Sequence, residues 1–284
     1  MLRRFGPFVF VGLWSGGFTA VRLGLEHAEP LTLQALRYLV VVAGLLPLAA
    51  LLRLRPPRGA LLRHLLLMGL VVQFGYFAAC NLAQFWGMTA GGLALLIALQ
   101  PVLVALLAPG LAGEAVGGRA WVGLLLGLAG AAAVILSGSA VRAEGWLGLG
   151  FAVAALGTMT AGALLEKHGG QPCHPVMANL VLYAVGLLAT LPVAALTETM
   201  RVDWAPGLVL PLAYLVLANS LIATSLLLAM IRHGGAARVS ALFFLVPPLA
   251  ALIAWGVLGE VMAPLAWAGT ALAAVGVALA RRAG

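Results

Sequence analysis

The sequence predicts an all-α membrane protein of ten transmembrane helices built as two inverted five-helix repeats, and three observations predict it. The 284-residue chain is 63% hydrophobic and only 8% charged, with a mean hydropathy of +1.11, which leaves too little polar surface for a water-soluble globule. The stretch 93–133 recurs without a gap at 239–279, placing Pro101 on Pro247, Gly113-Glu114 on Gly259-Glu260, Trp121 on Trp267, Gly123 on Gly269 and Gly130 on Gly276. Matches of Ala or Leu mean little in so apolar a chain, but Pro, Glu and Trp are scarce and all fall in register, the mark of an internal repeat. The basic residues, finally, crowd one side of a ten-pass arrangement.

A spanning helix needs about 20 apolar residues, and the chain holds such runs at 5–25, 31–52, 61–83, 90–111, 119–137, 145–166, 176–196, 207–231, 236–258 and 264–280. The first run follows Met1-Leu2-Arg3-Arg4 and resembles a signal peptide, but no small-residue cleavage motif follows it, and it is read as a retained helix. Helix-end punctuation separates the others: Pro30 before the second, Pro56-Pro57 before the third, Gly117-Gly118 before the fifth and Gly169-Gly170 with Pro175 before the seventh. Pro206, Gly234-Gly235 and Pro264 do the same for the last three. No stretch remains for a soluble domain.

With the N-terminus inside, the inner loops and ends carry Arg3, Arg4, Arg53, Arg55, Arg58, Arg63, Arg119, Lys167, Arg232, Arg238, Arg281 and Arg282, while the outer side carries Arg22, Arg142 and Arg201. That asymmetry places both termini in the cytoplasm. A shift of 145 positions sets Pro30 on Pro175, Tyr38 on Tyr183 and Pro47 on Pro192, so the repeats are 1–142 and 143–284. Five helices is an odd number, so the second repeat enters the bilayer from the opposite face. Inverted repeats of this kind are common in secondary transporters, whose substrate site lies near the midplane between the halves.

The formal charge of +8 follows from basic loops beside a membrane, so the expected partners are the lipid bilayer and a small-molecule substrate, with no nucleic acid. Cys80 lies in an apolar run and Cys173 in a polar connection, without metal or redox spacing, so neither metal nor cofactor is expected. The chain is expected in the cytoplasmic (inner) membrane as a monomer or weak homodimer.

Three features together resemble a known family: Trp14-Ser15-Gly16-Gly17-Phe18 in the first run, Pro30 through Leu36-Arg37-Tyr38 opening the second, and the twin pattern of mid-helix Pro, Gly-Glu and Trp-x-Gly. They are similar to the drug/metabolite transporter superfamily and, within it, to the EamA-type ten-helix transporters. The resemblance spans the whole chain and implies a central cavity lined mainly by helices 1, 3, 4, 6, 8 and 9. Thr158-Met159-Thr160 departs from it, lacking the tryptophan of the first helix.

Candidate residues follow from polarity inside apolar runs. Gln73, Tyr76, Phe77, Cys80 and Gln84 fall within an arc of about 100° on an ideal helix, and such a stripe faces either a neighbouring helix or a cavity. Gln73 coincides with Asn219 in the other repeat. Tyr214 and Ser225 give the eighth run a second polar face, Gln100 adjoins Pro101, Trp14 and Phe18 share a face, and Phe244 lies near Pro247. All are candidates for lining a substrate cavity. Pro101 and Pro247 each remove a backbone hydrogen bond and serve as a packing kink or a hinge. Glu114 and Glu260 are expected to accept the free amide hydrogens that begin the fifth and tenth helices. Arg37, well inside a span, could bind a substrate carboxylate, snorkel outward, or pair with Glu29 or a helix end. It matches a position typical of the family, whose substrates vary, so the resemblance implies a structural or gating role.

A carrier accounts for the inverted repeat, twin prolines and polar stripes. An intramembrane enzyme would need a catalytic set, yet Asp203 is the sole Asp and His27, His64, His168, His174 and His233 all lie near helix ends; a channel would need a continuous polar pore. The expectation is a non-enzymatic secondary exporter of a small amphipathic metabolite such as an amino acid, working by alternating access, with multidrug efflux as the alternative. The eight acids fall in loops or at helix ends, Glu166 beside Lys167 being nearest to an exception, so no buried carboxylate is expected to carry protons.

Overall fold

The computed structural model describes residues 2–100, 103–104, 106–107, 118–137, 146–169, 173–226, 246–261 and 263–281. In chain order its helices are α1 Leu2–Gly24, α2 Pro30–Leu51, α3 Gly59–Phe85, α4 Ala90–Ile97, α5 Gly118–Leu136, α6 Trp146–Gly169, α7 Pro175–Thr197, α8 Pro206–Leu226, α9 Val246–Leu258 and α10 Pro264–Arg281. Helical backbone recurs beyond α4 at 100, 103–104 and 106–107. Among the described residues there is no strand beyond an isolated bridge between Ala28 and Val202. The protein is therefore an all-helical membrane protein, with α2, α3, α7, α8 and the Trp146–Glu166 part of α6 long and apolar enough to cross a bilayer.

Pro30, Pro175, Pro206 and Pro264 each open a helix, where the missing N–H would have had no partner and the fixed φ suits the first turn. The outer surface is apolar: Leu46, Leu188, Leu196, Leu217, Leu252 and Val275 are exposed. Against lipid such a surface costs nothing, whereas in water it would drive aggregation.

Packing follows a consistent pattern of neighbours. α5 pairs with α10 and α2 with α7; α1 lies against α8 and α9, α6 against α3 and α4, α4 against α9, α2 against α8 and α3 against α7. One core joins α1, α3, α4, α6, α8 and α9 through Phe10, Trp14, Tyr76, Leu93, Ala155, Ala223 and Ala250. A second joins α2, α7 and α8 through Leu33, Tyr38, Val41, Tyr183 and Leu208. The α5–α10 pair depends on small residues: a methyl group at Gly276 would lie 2.5 Å from the Gly123 carbonyl oxygen and 2.6 Å from the Gly127 amide, so the two backbones touch.

Two helices change pitch. Gly69–Tyr76 of α3 and Tyr214–Ala223 of α8 are π-helical, with Phe77 N bonded back to Val72 O and Thr224 N to Asn219 O, five residues earlier. The two stretches match under the 146-residue shift. Wider turns of this kind interrupt the α ladder and rotate the residues before them away from an ideal helical stripe.

Helix starts are capped from other helices. Glu198, following α7, accepts from Leu31 N at 2.8 Å and from Thr32 N and Oγ1 at 2.7 Å, at the start of α2. In return Glu29, before α2, accepts from Thr199 N and Oγ1 at 2.8 Å and Met200 N at 3.0 Å. Glu260 corrects an expectation: its Oε1 is 3.4 Å from Ala90 N at the start of α4, and not on α10. α10 begins with Pro264, which has one amide hydrogen fewer to cap. Glu114 and Pro101 lie outside the described residues.

Candidate functional site

Between α1, α2, α3 and α8 lies a narrow cavity, part of it open to the surface. Its walls are Trp14, Gly17, Phe18 and Val21 from α1, Arg37 from α2, Tyr76, Phe77, Cys80, Asn81 and Gln84 from α3, and Leu215 and Asn219 from α8. A second, smaller space lies between α1, α4, α6 and α9 against Ala94, Ile97, Ala98, Gln100, Met159 and Val246, with Trp14 and Phe18 again on its wall. These two rings therefore separate the spaces.

The motif Trp14-Ser15-Gly16-Gly17-Phe18 now has a physical meaning. Trp14 and Phe18 face the cavities, while Ser15 Oγ donates to Val246 O at 3.3 Å, tying α1 to α9. A methyl group on Gly16 would collide with the Tyr214 ring, and one on Gly17 would lie 2.6 Å from Asn219 Nδ2. Two glycines let α8 approach closely enough for Tyr214 OH and Asn219 Nδ2 to donate to Leu13 O at 3.0 and 3.4 Å.

Arg37 is buried at 4% exposure on the same wall. Nε donates to Ser220 Oγ at 2.8 Å and Nη2 to Asn219 Oδ1 at 2.7 Å. The guanidinium lies 4.8 Å from the Phe77 ring centre and 5.9 Å from that of Tyr38, a cation–π arrangement. Arg37 thus neither snorkels outward nor pairs with Glu29, whose carboxylate is spent on Thr199 and Met200. Among the described residues no carboxylate reaches it within ion-pair distance.

The π-helical stretch explains where the α3 stripe divides. Phe77 N bonds to Phe74 O and Val72 O and not to Gln73 O, and the Gln73 carbonyl takes donors from neighbouring side chains. Tyr38 OH donates to it at 2.5 Å and Gln34 Nε2 at 3.0 Å. Gln34 also donates to Thr190 Oγ1 at 3.1 Å, and Asn81 Nδ2 donates to Pro30 O at 3.1 Å. Gln73 is turned toward α7, its Cβ 2.8 Å from where a methyl on Gly186 would stand, while Tyr76, Phe77 and Gln84 face the cavity.

The expected candidates therefore divide. Trp14, Phe18, Tyr76, Phe77, Gln84 and Asn219 meet on the first cavity and Gln100 on the second. Gln73, Tyr214 and the half-buried Ser225 line neither: Gln73 is rotated by the change of pitch and Tyr214 is held on Leu13 O. Pro247 is buried, and Phe244, with the residues that lead into α9, lies outside the described residues. Under the 145-residue shift Met159 takes the place of Trp14 and lines the second space, while Thr160, in the place of Ser15, donates back to Leu156 O at 2.7 Å. Gln34, Asn81 and Ser220 were not singled out from the sequence, although polarity within a span was the available signal. Glu166 lies 2.8 Å from His64 Nε2; the Lys167 side chain lies outside the described residues. At the other end of the helices His27 Nδ1 lies 2.9 Å from Asp203 Oδ2.

Comparison with known proteins bears on all of this. The model of the EamA-like transporter family matches residues 7–136 and again 146–282. The chain is 30% identical to a probable terminal-alkyne amino-acid exporter of Streptantibioticus cattleyicolor, over 95% of this chain and 90% of that one. It is 27% identical to the uncharacterized inner membrane transporter YedA of Escherichia coli, over 94% and 87%, and 25% identical to a probable amino-acid metabolite efflux pump of Salmonella typhimurium, over 96% and 92%. A solved crystal structure shares the fold with a TM-score of 0.69 at 19% identity, over 97% of this chain and 96% of its own.

Proposed function

Since this chain belongs to the EamA-like transporter family, we propose that it exports a small amphipathic metabolite, such as an amino acid, by alternating access about the cavity between α1, α2, α3 and α8. The observation that carries the reading is the cavity itself: aromatic rings of the first half and buried amides of both halves converge there, with Arg37 of the first half bonded to Asn219 and Ser220 of the second. Apolar walls with a few oriented polar groups suit a small amphipathic solute. The relatives named as amino-acid exporters support the substrate class. Efflux of unrelated lipophilic compounds is the alternative, and the buried polar groups on the wall speak against it, because such compounds would leave those groups unpaired.

In this reading ten helices form two inverted five-helix repeats, 1–142 and 143–284, in the cytoplasmic membrane, with both termini inside and the protein acting as a monomer or weak homodimer without enzymatic activity. The neighbour pattern supports it. Exchanging α1–α5 with α6–α10 turns α1·α8 into α6·α3, α1·α9 into α6·α4 and α2·α8 into α7·α3, all of them contacts, while α2·α7, α4·α9 and α5·α10 map onto themselves. The matched π-helical stretches and the two matches of the family model support it as well. The bond between Arg37 and Asn219 then closes the cavity between the halves and must break for the halves to rock. Flux of amino acids against lipophilic cations in liposomes with purified protein tests the reading: amino acids should move, and movement of the cations alone would favour the alternative.

A further inference from the structure

We propose that the Arg37 guanidinium and the Gln84 amide form an anion subsite that requires a carboxylate on the transported solute and does not require its amino group. This rests on the transporter reading above and names what the same cavity selects.

Arg37 carries a charge that no described carboxylate compensates. A guanidinium has five N–H donors and keeps its charge at any pH a cell meets, and a charge inside a bilayer is costly unless paired. Arg37 gives one N–H to the Ser220 hydroxyl and one to the Asn219 amide oxygen, both neutral. Arg37 lines the cavity, and no carboxylate among the described residues is within ion-pair distance of it.

Gln84 is the second, independent observation. Its side chain is 1% exposed and lines the same cavity, yet neither Nε2 nor Oε1 has a hydrogen-bond partner. A buried amide left wholly unpaired costs free energy that a ligand can recover. A solute carboxylate satisfies both features together: its two oxygens accept from the guanidinium and from Gln84 Nε2, and it neutralises the buried charge. Phe77, 4.8 Å from the guanidinium, and Trp14 then offer apolar surface to the body of the solute.

The converse limits specificity. Among the described residues no acid lines the cavity, so an ammonium group would meet only neutral oxygens and ring faces there. The amino group is therefore dispensable, and N-acylated or deaminated acids should be accepted alongside amino acids. A bound carboxylate also competes with Asn219 Oδ1 for Arg37 Nη2, so that loading the site loosens the bond between the halves.

The test uses matched pairs in liposomes containing the full-length protein: phenylalanine against phenylalaninamide, leucine against leucinamide, with N-acetylphenylalanine as the amine-blocked acid. The acids, N-acetylphenylalanine included, should move at least about tenfold faster than the amides. Arg37→Gln should erase that preference, and Gln84→Leu should reduce it. Amides moving as fast as acids would overturn the anion subsite and leave the transporter reading intact; no movement of either would overturn both. The wild-type comparison decides the question even if Arg37→Gln does not fold.

Discussion

Arg37 Nη2 lies 2.7 Å from Asn219 Oδ1, and this bond joins the second helix to the eighth across the wall of the cavity. The residue that replaces Asn219 should therefore set how firmly the halves are held. Asn219→Ala removes a buried acceptor from a guanidinium and should cost about 1–3 kcal/mol. Asn219→Asp places a carboxylate there permanently, so thermal unfolding in detergent should rise in temperature while flux falls. Normal flux in Asn219→Asp would show that the bond need not break during transport.

Glu198 offers a test of the helix-capping account. Its carboxylate accepts three hydrogen bonds at the start of α2, so Glu198→Ala should destabilise the protein by about 1–2 kcal/mol. Glu26, which is exposed, is the control, and Glu26→Ala should fall within about 0.5 kcal/mol of wild type. Equal unfolding temperatures for the two variants would contradict the cap.

The proposed topology places both chain ends in the cytoplasm. A reporter fused after Gly284 should be active only as a cytoplasmic fusion. Activity of a periplasm-dependent reporter there would reverse the orientation or remove a span.

Flux should persist in liposomes that hold a solute gradient but no pH gradient. The described acids lie at helix ends, and Glu166 is engaged with His64 at 2.8 Å away from the cavity. Strictly proton-dependent flux that is lost in Glu166→Gln would mean that this carboxylate carries protons.

What the sequence disclosed depended on the scale of the signal. Apolar runs, helix-opening prolines and the register of Pro101 with Pro247 are repeated chemical events, and they survive in one dimension. Trp14, Phe18, Tyr76, Phe77, Gln84 and Asn219 were legible because polar or aromatic side chains in a span stand out, and they meet on one cavity. Gln73 stands apart from the other members of its stripe in this structure; the stripe assumes a constant 100° per residue, and nothing in the sequence of Gly69–Tyr76 announces a π-helical turn. Glu260 was assigned to the nearest helix in sequence, whereas caps in a bundle are supplied by whichever loop is nearest in space, here the start of α4. The exchange between Glu29 and Glu198 was hidden for the same reason.

A carrier exposes one site alternately to each face, and counterflow distinguishes it from a pore. Liposomes containing the protein are preloaded with unlabelled leucine and diluted into a trace of labelled leucine. The label should transiently accumulate inside above its equilibrium level, because each outward turn of a loaded site is followed by an inward one. Equilibration without that overshoot, at any rate above protein-free liposomes, would mean a continuous pore and would contradict alternating access.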